Sequence, residues 1–163
     1  MLGVLNMGKD LQTTGDKDAR YDCLKLENQV CFPLYACAKE VVRHYKPFLD
    51  ALDLTYTQYI TMMVLWEQKE MNVKEIGKNL YLDSGTLTPL LKKLESKGYI
   101  KRHRSKEDER NLIISITPEG EALKERALSV PAEMSKCICI GKEKTQKLYS
   151  LLYELLEEFE KAK

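Results

Sequence analysis

Nowhere does the chain run to the roughly 20 consecutive apolar residues that a membrane-spanning helix needs. Residues 1–21 also lack the basic stretch followed by an apolar stretch that marks a secretion signal. Both absences point to a cytoplasmic protein with no membrane partner. An excess of one charge is missing too. Formal net charge is +1, from 26 Lys+Arg against 25 Asp+Glu. Nucleic-acid binding would therefore have to rest on a local basic patch. Histidine is scarce, with only His44 and His103. None of the five cysteines (Cys23, Cys31, Cys37, Cys137, Cys139) makes a Cys-x-x-Cys spacing. The one close pair, Cys137-Ile138-Cys139, is a poor zinc signal by itself. No metal and no cofactor is expected. A reducing compartment disfavours a disulfide framework, and an odd count leaves one thiol without an intrachain partner. The cysteines read as buried small hydrophobes, ligands or redox-active thiols.

What is present suits one domain with helical extensions. At 163 residues the chain can bury a core unaided. Residues 1–22 are polar and aperiodic and read as a flexible arm. A helical period then runs through Val30, Leu34, Ala38, Val41 and Tyr45. Pro33 places the start of this helix near Cys31 or kinks it there. Lys46-Pro47 is expected to bend or end it. A second helix fits residues 57–68, with apolar residues almost all round. A short helix at 73–80 precedes a turn, Tyr81 to Thr86, rich in helix-capping residues. The next helix carries Leu87, Leu90, Leu91 and Leu94 as one stripe, with Lys97-Gly98 as its stop. Residues 99–104 and 111–117 read as two strands joined by a charged tip. Thr117-Pro118 opens another helix, with threonine as cap and proline at the first position. A final helix from about Lys142 repeats Leu148, Leu151, Leu152, Leu155, Leu156 and Phe159. That stripe has little chain left to pack against and suggests a helical partner, most simply a second copy.

Helix, short helix, turn, helix and hairpin in this order make a winged helix-turn-helix. The fold class expected is mainly α with a small β-hairpin. With its leucines turned inward, the helix from Ser84 presents Ser84, Thr86, Thr88, Lys92 and Lys93. These side chains suit base edges and phosphates in a major groove. Asp83, in the turn before this helix, is counted with the DNA-binding residues, and the helix N-terminus offers free N–H groups to a phosphate. The hairpin adds Lys101, Arg102, His103, Arg104, Lys106 and Arg110. An arginine at its tip suits a narrow minor groove, and Asp108 is positioned to pair with the Arg110 guanidinium. A solvated hairpin and a plain leucine core explain either piece alone; the joint order favours double-stranded DNA.

Residues 73–120 resemble the MarR family of dimeric bacterial transcription regulators. The resemblance is carried by Leu90-Leu91-Lys92-Lys93-Leu94-Glu95-Ser96-Lys97-Gly98-Tyr99-Ile100-Lys101-Arg102, by Asp108-x-Arg110 and by Ile116-Thr117-Pro118-Glu119-Gly120. It implies a MarR-type homodimer over residues 23–163. Segments 23–50 and 118–163 would be the dimerisation helices, and 57–117 the DNA-binding region. The dimer would bind an inverted-repeat operator. Leu26 to Ala36, Tyr45 to Asp50, Leu54 to Tyr59 and Leu80 to Pro89 resemble the OhrR branch, repressors that sense organic hydroperoxides. That resemblance implies Cys31 as the reactive thiol, hydrogen-bonded by Tyr45 and Tyr56 of the other subunit. It also implies a choice of resolving step: a small thiol, or a second cysteine such as Cys137 or Cys139 of the partner subunit.

Chemistry supports the first part independently. The nucleophile in such sensing is a thiolate, and a cysteine in a first helical turn meets the positive end of the helix dipole. An apolar rim of Phe32 and Leu34 suits an organic peroxide. Attack gives a sulfenic acid, which a second thiol converts to a disulfide. The competing reading is a buried structural cysteine. Cys37, on another face of the same helix, is expected in the core, and Cys23 is expected to be incidental. Rival functions are a MarR-type repressor sensing quinones or other electrophiles, one binding a phenolic ligand non-covalently, and a thiol peroxidase. No recognisable catalytic set supports the enzyme.

Overall fold

The computed structural model describes residues 19–105 and 108–162. The arm expected over residues 1–22 lies outside the described residues as far as residue 18, and so does Lys106. From Ala19 the backbone is turned into two 3-10 segments, Ala19–Leu24 and Leu26–Asn28. The chain divides into two compact units, Met1–Tyr59 and Ile60–Lys163. Among the described residues no helix is long and apolar enough to cross a membrane.

The first unit is built on helix α1, Cys31–Asp50. Pro33 is its third residue, where a missing N–H costs nothing. Of the two outcomes expected at Lys46-Pro47, a bend or an end, the end does not occur. The helix passes through it and continues to Asp50. Proline there removes one N–H, and the turn beyond carries Leu49, which is buried. Burial of that leucine offsets the loss. The exit is tight: the N–H groups of Leu52 and Leu54 both donate to the Leu49 carbonyl at 3.0 Å. Asp53 takes a left-handed φ of 53°. Helix α2, Tyr56–Gln68, then starts with a reciprocal cap. The Thr55 N–H donates to Gln58 Oε1 (3.1 Å), and the Gln58 N–H donates to Thr55 Oγ1 (3.3 Å).

The second unit begins inside α2 and continues with β1 (Glu70–Asn72), α3 (Val73–Leu80), α4 (Ser84–Ser96), β2 (Ile100–Arg104) and β3 (Leu112–Ile116). Helices α5 (Pro118–Ala127), α6 (Ser129–Cys137) and α7 (Lys142–Lys161) complete it. The expected hairpin is present, with Ile100 opposite Ile116 and Arg104 opposite Leu112. The sheet has a third member, β1, on the far side of β3, so its order is β1-β3-β2, all antiparallel. Its core is Met62, Leu65, Trp66, Ile76, the four α4 leucines, Ile100, Ile114 and Leu123. The helix after the wing is two helices rather than one. Pro131, in the first turn of α6, cannot donate back into α5 and separates them.

One junction holds wing, recognition helix and α5 together. Thr117 caps α5 by accepting from the Gly120 N–H (3.0 Å) and donates its hydroxyl to the Gly98 carbonyl (2.6 Å). Trp66 Nε1 donates to the Gly120 carbonyl at 2.8 Å. A Cβ at Gly120 would run into the Tyr99 carbonyl oxygen, so only glycine permits this approach.

Candidate nucleic-acid interface and thiol site

Helix α4 is set by its leucines. Leu87, Leu90, Leu91 and Leu94 are buried, while Ser84, Thr86, Thr88, Lys92 and Lys93 are exposed on the opposite face, as expected. Asp83 is its cap: Oδ1 accepts the Thr86 N–H and Oδ2 accepts the Thr86 hydroxyl, both at 2.9 Å. These bonds, the backbone one foremost, hold the Asp83 carboxyl below its ordinary range. The Thr88 hydroxyl donates to the Ser84 carbonyl at 2.7 Å. Thr86 and Thr88 thus spend their protons inside the helix and keep lone pairs and methyl groups for a groove.

The wing tip is closed by its own polar groups. The Asp108 carboxylate accepts from the Arg110 N–H (3.0 Å) and from Asn111 Nδ2 (3.1 Å). Asp108 therefore holds the Arg110 backbone, where its guanidinium was the expected partner. In a turn, the N–H two residues on lies within reach of an aspartate side chain. Arg104 bonds the Glu109 carbonyl through Nη1 at 2.8 Å. Its guanidinium is thus engaged in closing the turn. Arg110, Asp83 and Ser84 line one groove of about 940 Å³ together with Lys74 and Lys78. The structure therefore brings the start of α4 and the wing arginine to a common surface.

A clamp absent from the sequence reading fixes α4 to the wing. Glu95 on α4 accepts the Arg102 N–H (3.1 Å) through Oε1. Its Oε2 takes Nε (2.7 Å) and Nη2 (2.6 Å) of the same residue on β2. The only hint in the sequence is the pair's seven-residue spacing across Lys97-Gly98. Tyr81, expected in the turn, makes a contact that the sequence does not reveal. It closes α3 at a left-handed φ of 54°, and its hydroxyl donates to Glu160 Oε1 of α7 at 2.9 Å.

In the first unit Cys31 is the first residue of α1. It is exposed, and no side chain caps that helix start. Cys23, Cys37, Cys137 and Cys139 are exposed as well. Exposure overturns the expectation that Cys37 is core: within α1 only Leu49 is buried, and the face bearing Cys37 is left uncovered. Tyr45 and Tyr56 are brought together, with ring centroids 4.9 Å apart, and Tyr59 joins them at 5.9 Å from Tyr45. Burial, and in second place the neighbouring hydroxyl of Tyr56, raises the Tyr45 phenol above its ordinary value; burial does the same for Tyr56. All three stay protonated donors at neutral pH. Tyr45 lies 14 residues beyond Cys31 on one helix, a span of about 21 Å. One chain does not bring the thiol and this phenol together along α1, so a Cys31–Tyr45 bond requires a second chain.

A family model described as transcriptional regulator SarA/Rot matches residues 43–127. The organic hydroperoxide resistance transcriptional regulator of Bacillus subtilis is 49% identical over 138 residues, covering 85% of this chain and 94% of its own. Solved structures of AbfR, a Staphylococcus epidermidis protein, cover 86–87% of this chain at 32–33% identity. The reduced, DNA-bound form matches at a TM-score of 0.70 over 98% of its chain. The disulfide form matches at 0.58 over 99%.

Proposed function

The chain belongs to the MarR/SarA-type family of winged-helix transcription regulators, a redox-sensing OhrR homologue within it, and from that premise we propose a repressor switched by oxidation of Cys31. The reduced protein binds an inverted-repeat operator as a homodimer, one winged motif per half-site about one helical turn apart. The Ser84 face of α4 reads the major groove, with Thr86, Thr88, Lys92 and Lys93 as contacts. Arg110 enters the minor groove. Asp83 and Asp108 act indirectly, by fixing the start of α4 and the wing tip. Arg104 serves DNA only if it exchanges its carbonyl partner for a phosphate.

The observation that carries the sensing step is the placement of Cys31. It is an exposed thiol at the first residue of α1, where the positive end of the helix dipole favours a thiolate. An organic hydroperoxide gives its distal oxygen to that thiolate. Cys31 becomes a sulfenic acid and the peroxide leaves as an alcohol once protonated. Tyr45 and Tyr56 of the partner subunit donate to the sulfur. The sulfenic acid then condenses with Cys137 or Cys139, releasing water. Oxidation of Cys31 favours the released state of the dimer by a few kcal/mol, enough to end repression. That AbfR is known both reduced on DNA and in a disulfide form supports this reading.

The test is a gel-shift titration on a duplex selected from a random pool by the reduced protein. Cumene hydroperoxide is expected to release the parent and leave Cys31→Ser bound. Equal sensitivity of the two would sink the assignment. A non-covalent phenolic effector would act on both alike, and a thiol peroxidase would sustain turnover with dithiothreitol.

A further inference from the structure

The pair Cys137 and Cys139 offers more than a choice of one resolving thiol. Cys137 is the last residue of α6, and Ile138, at φ −112° and ψ 78°, has left the helix. Had the helix continued, the two side chains would point about 200° apart around its axis. With Ile138 off the helical path that constraint is gone, and residues two apart in an extended chain point to the same side. Two residues apart, their Cα atoms are separated by at most about 7 Å, near the upper end of the range a disulfide spans. Both thiols are exposed, and Cys139 lies on a groove of about 670 Å³ with Met134, Ile138 and Tyr149. The connection to α7 is short and ends at Gly141, with φ 86°. The buried α6 residues Val130 and Met134 lie before Cys137 in the helix.

We propose that Cys137 and Cys139 form a relay that takes over the oxidation from Cys31 and stores it as an intrachain disulfide. The inference rests on the Cys31 reading above. In the first step the Cys31 sulfenic acid condenses with the Cys137 thiol, forming an S–S bond and releasing water. Cys139 then loses its proton to solvent and attacks the Cys137 sulfur. The Cys137–Cys139 bond forms, the Cys31–Cys137 bond breaks, and its electron pair leaves on Cys31 as a thiolate. One hydroperoxide has become an alcohol and water, two thiols have become one disulfide, and Cys31 is ready again. Attack by the neighbouring thiol is intramolecular and outruns any small thiol at equal reactivity. The protein would then register dose: a first equivalent charges the pair, and a second leaves Cys31 oxidised with the Cys137–Cys139 pair already spent.

The experiment treats the full-length protein with one equivalent of cumene hydroperoxide per subunit, blocks free thiols, and applies non-reducing gels and peptide mass spectrometry. The expected parent product runs as a monomer, carries a Cys137–Cys139 disulfide and has an alkylated Cys31. Cys139→Ser is expected to stop at a covalent Cys31–Cys137 dimer. Cys31→Ser is expected to leave the pair reduced at the same dose. A parent that ends as a Cys31-linked dimer, or a pair that oxidises equally fast in Cys31→Ser, overturns the relay. Parent protein that stays on DNA through all peroxide doses, with Cys31 alkylated throughout, overturns the Cys31 reading instead, a distinct result on the same gels.

Discussion

Helices α4 and α7 both carry leucines at helical spacing, yet they meet opposite fates. Leu94 of α4 has no exposed surface, whereas Leu151 of α7 is 61% exposed. Helix α4 packs on α3 and β2 within one unit. Helix α7 has no buried residue, with Leu148, Tyr149, Leu152 and Phe159 open as well. A 20-residue helix with a long bare stripe gains little stability in water without a surface to cover it. The contrast separates a winged motif packed within one chain from a helix whose apolar stripe is left bare, the surface on which the proposed dimer would form.

Breaking the comparison on the buried side should cost most. Leu94→Ala is expected to lose about 2–5 kcal/mol of unfolding free energy, while Leu151→Ala should change monomer stability by about 0.5 kcal/mol or less. Urea unfolding at low protein concentration checks this; equal losses would end the distinction. Conversely, Leu151→Lys should leave the winged unit folded but shift sedimentation toward monomer.

Arg110→Ala should weaken operator binding by about 1–3 kcal/mol with little change in melting temperature. Anisotropy titrations at two salt concentrations check it, and unchanged affinity would remove Arg110 from the interface. Glu95→Ala should cost about 1 kcal/mol, since its ion pair is only partly shielded from water, and should also weaken DNA binding through a loosened wing. Thr117→Ala should cost about 1 kcal/mol through the lost α5 cap.

The smallest effect is the Asp83 cap. Its folded-state carboxyl titrates below the ordinary value of 3.8. The ionised cap therefore stabilises fully above that pH and is lost as pH falls through the lower folded value. The melting-temperature gap between parent and Asp83→Ala should narrow below pH 3.8; a gap constant into stronger acid would contradict the assignment.

The winged motif was legible because local signals agreed with the final packing. Thr117-Pro118, the α4 leucines and Gly98 each mark a boundary that the fold keeps. Strand β1 was not legible, because three residues without alternation become a strand only by pairing with β3, more than 40 residues away. Pro47 does not end α1, because local propensity yields to burial of Leu49. The Cys31 placement in a first turn could be read from Pro33. The third tyrosine of the cluster, Tyr59, could not, since ring contact with Tyr45 depends on how the chain turns between α1 and α2. Asp108 and Arg110 were rightly paired, but at the wrong atoms.

The central claim is that oxidation of one sulfur ends DNA binding. Its most direct test follows both events in one sample: dimedone trapping of Cys31 sulfenic acid by mass spectrometry in quenched aliquots, and release of a fluorescent duplex, after one addition of cumene hydroperoxide. The account predicts that release begins no earlier than Cys31 oxidation, keeps pace with it, and that both are absent in Cys31→Ser. Release of the duplex while Cys31 remains reduced would contradict it.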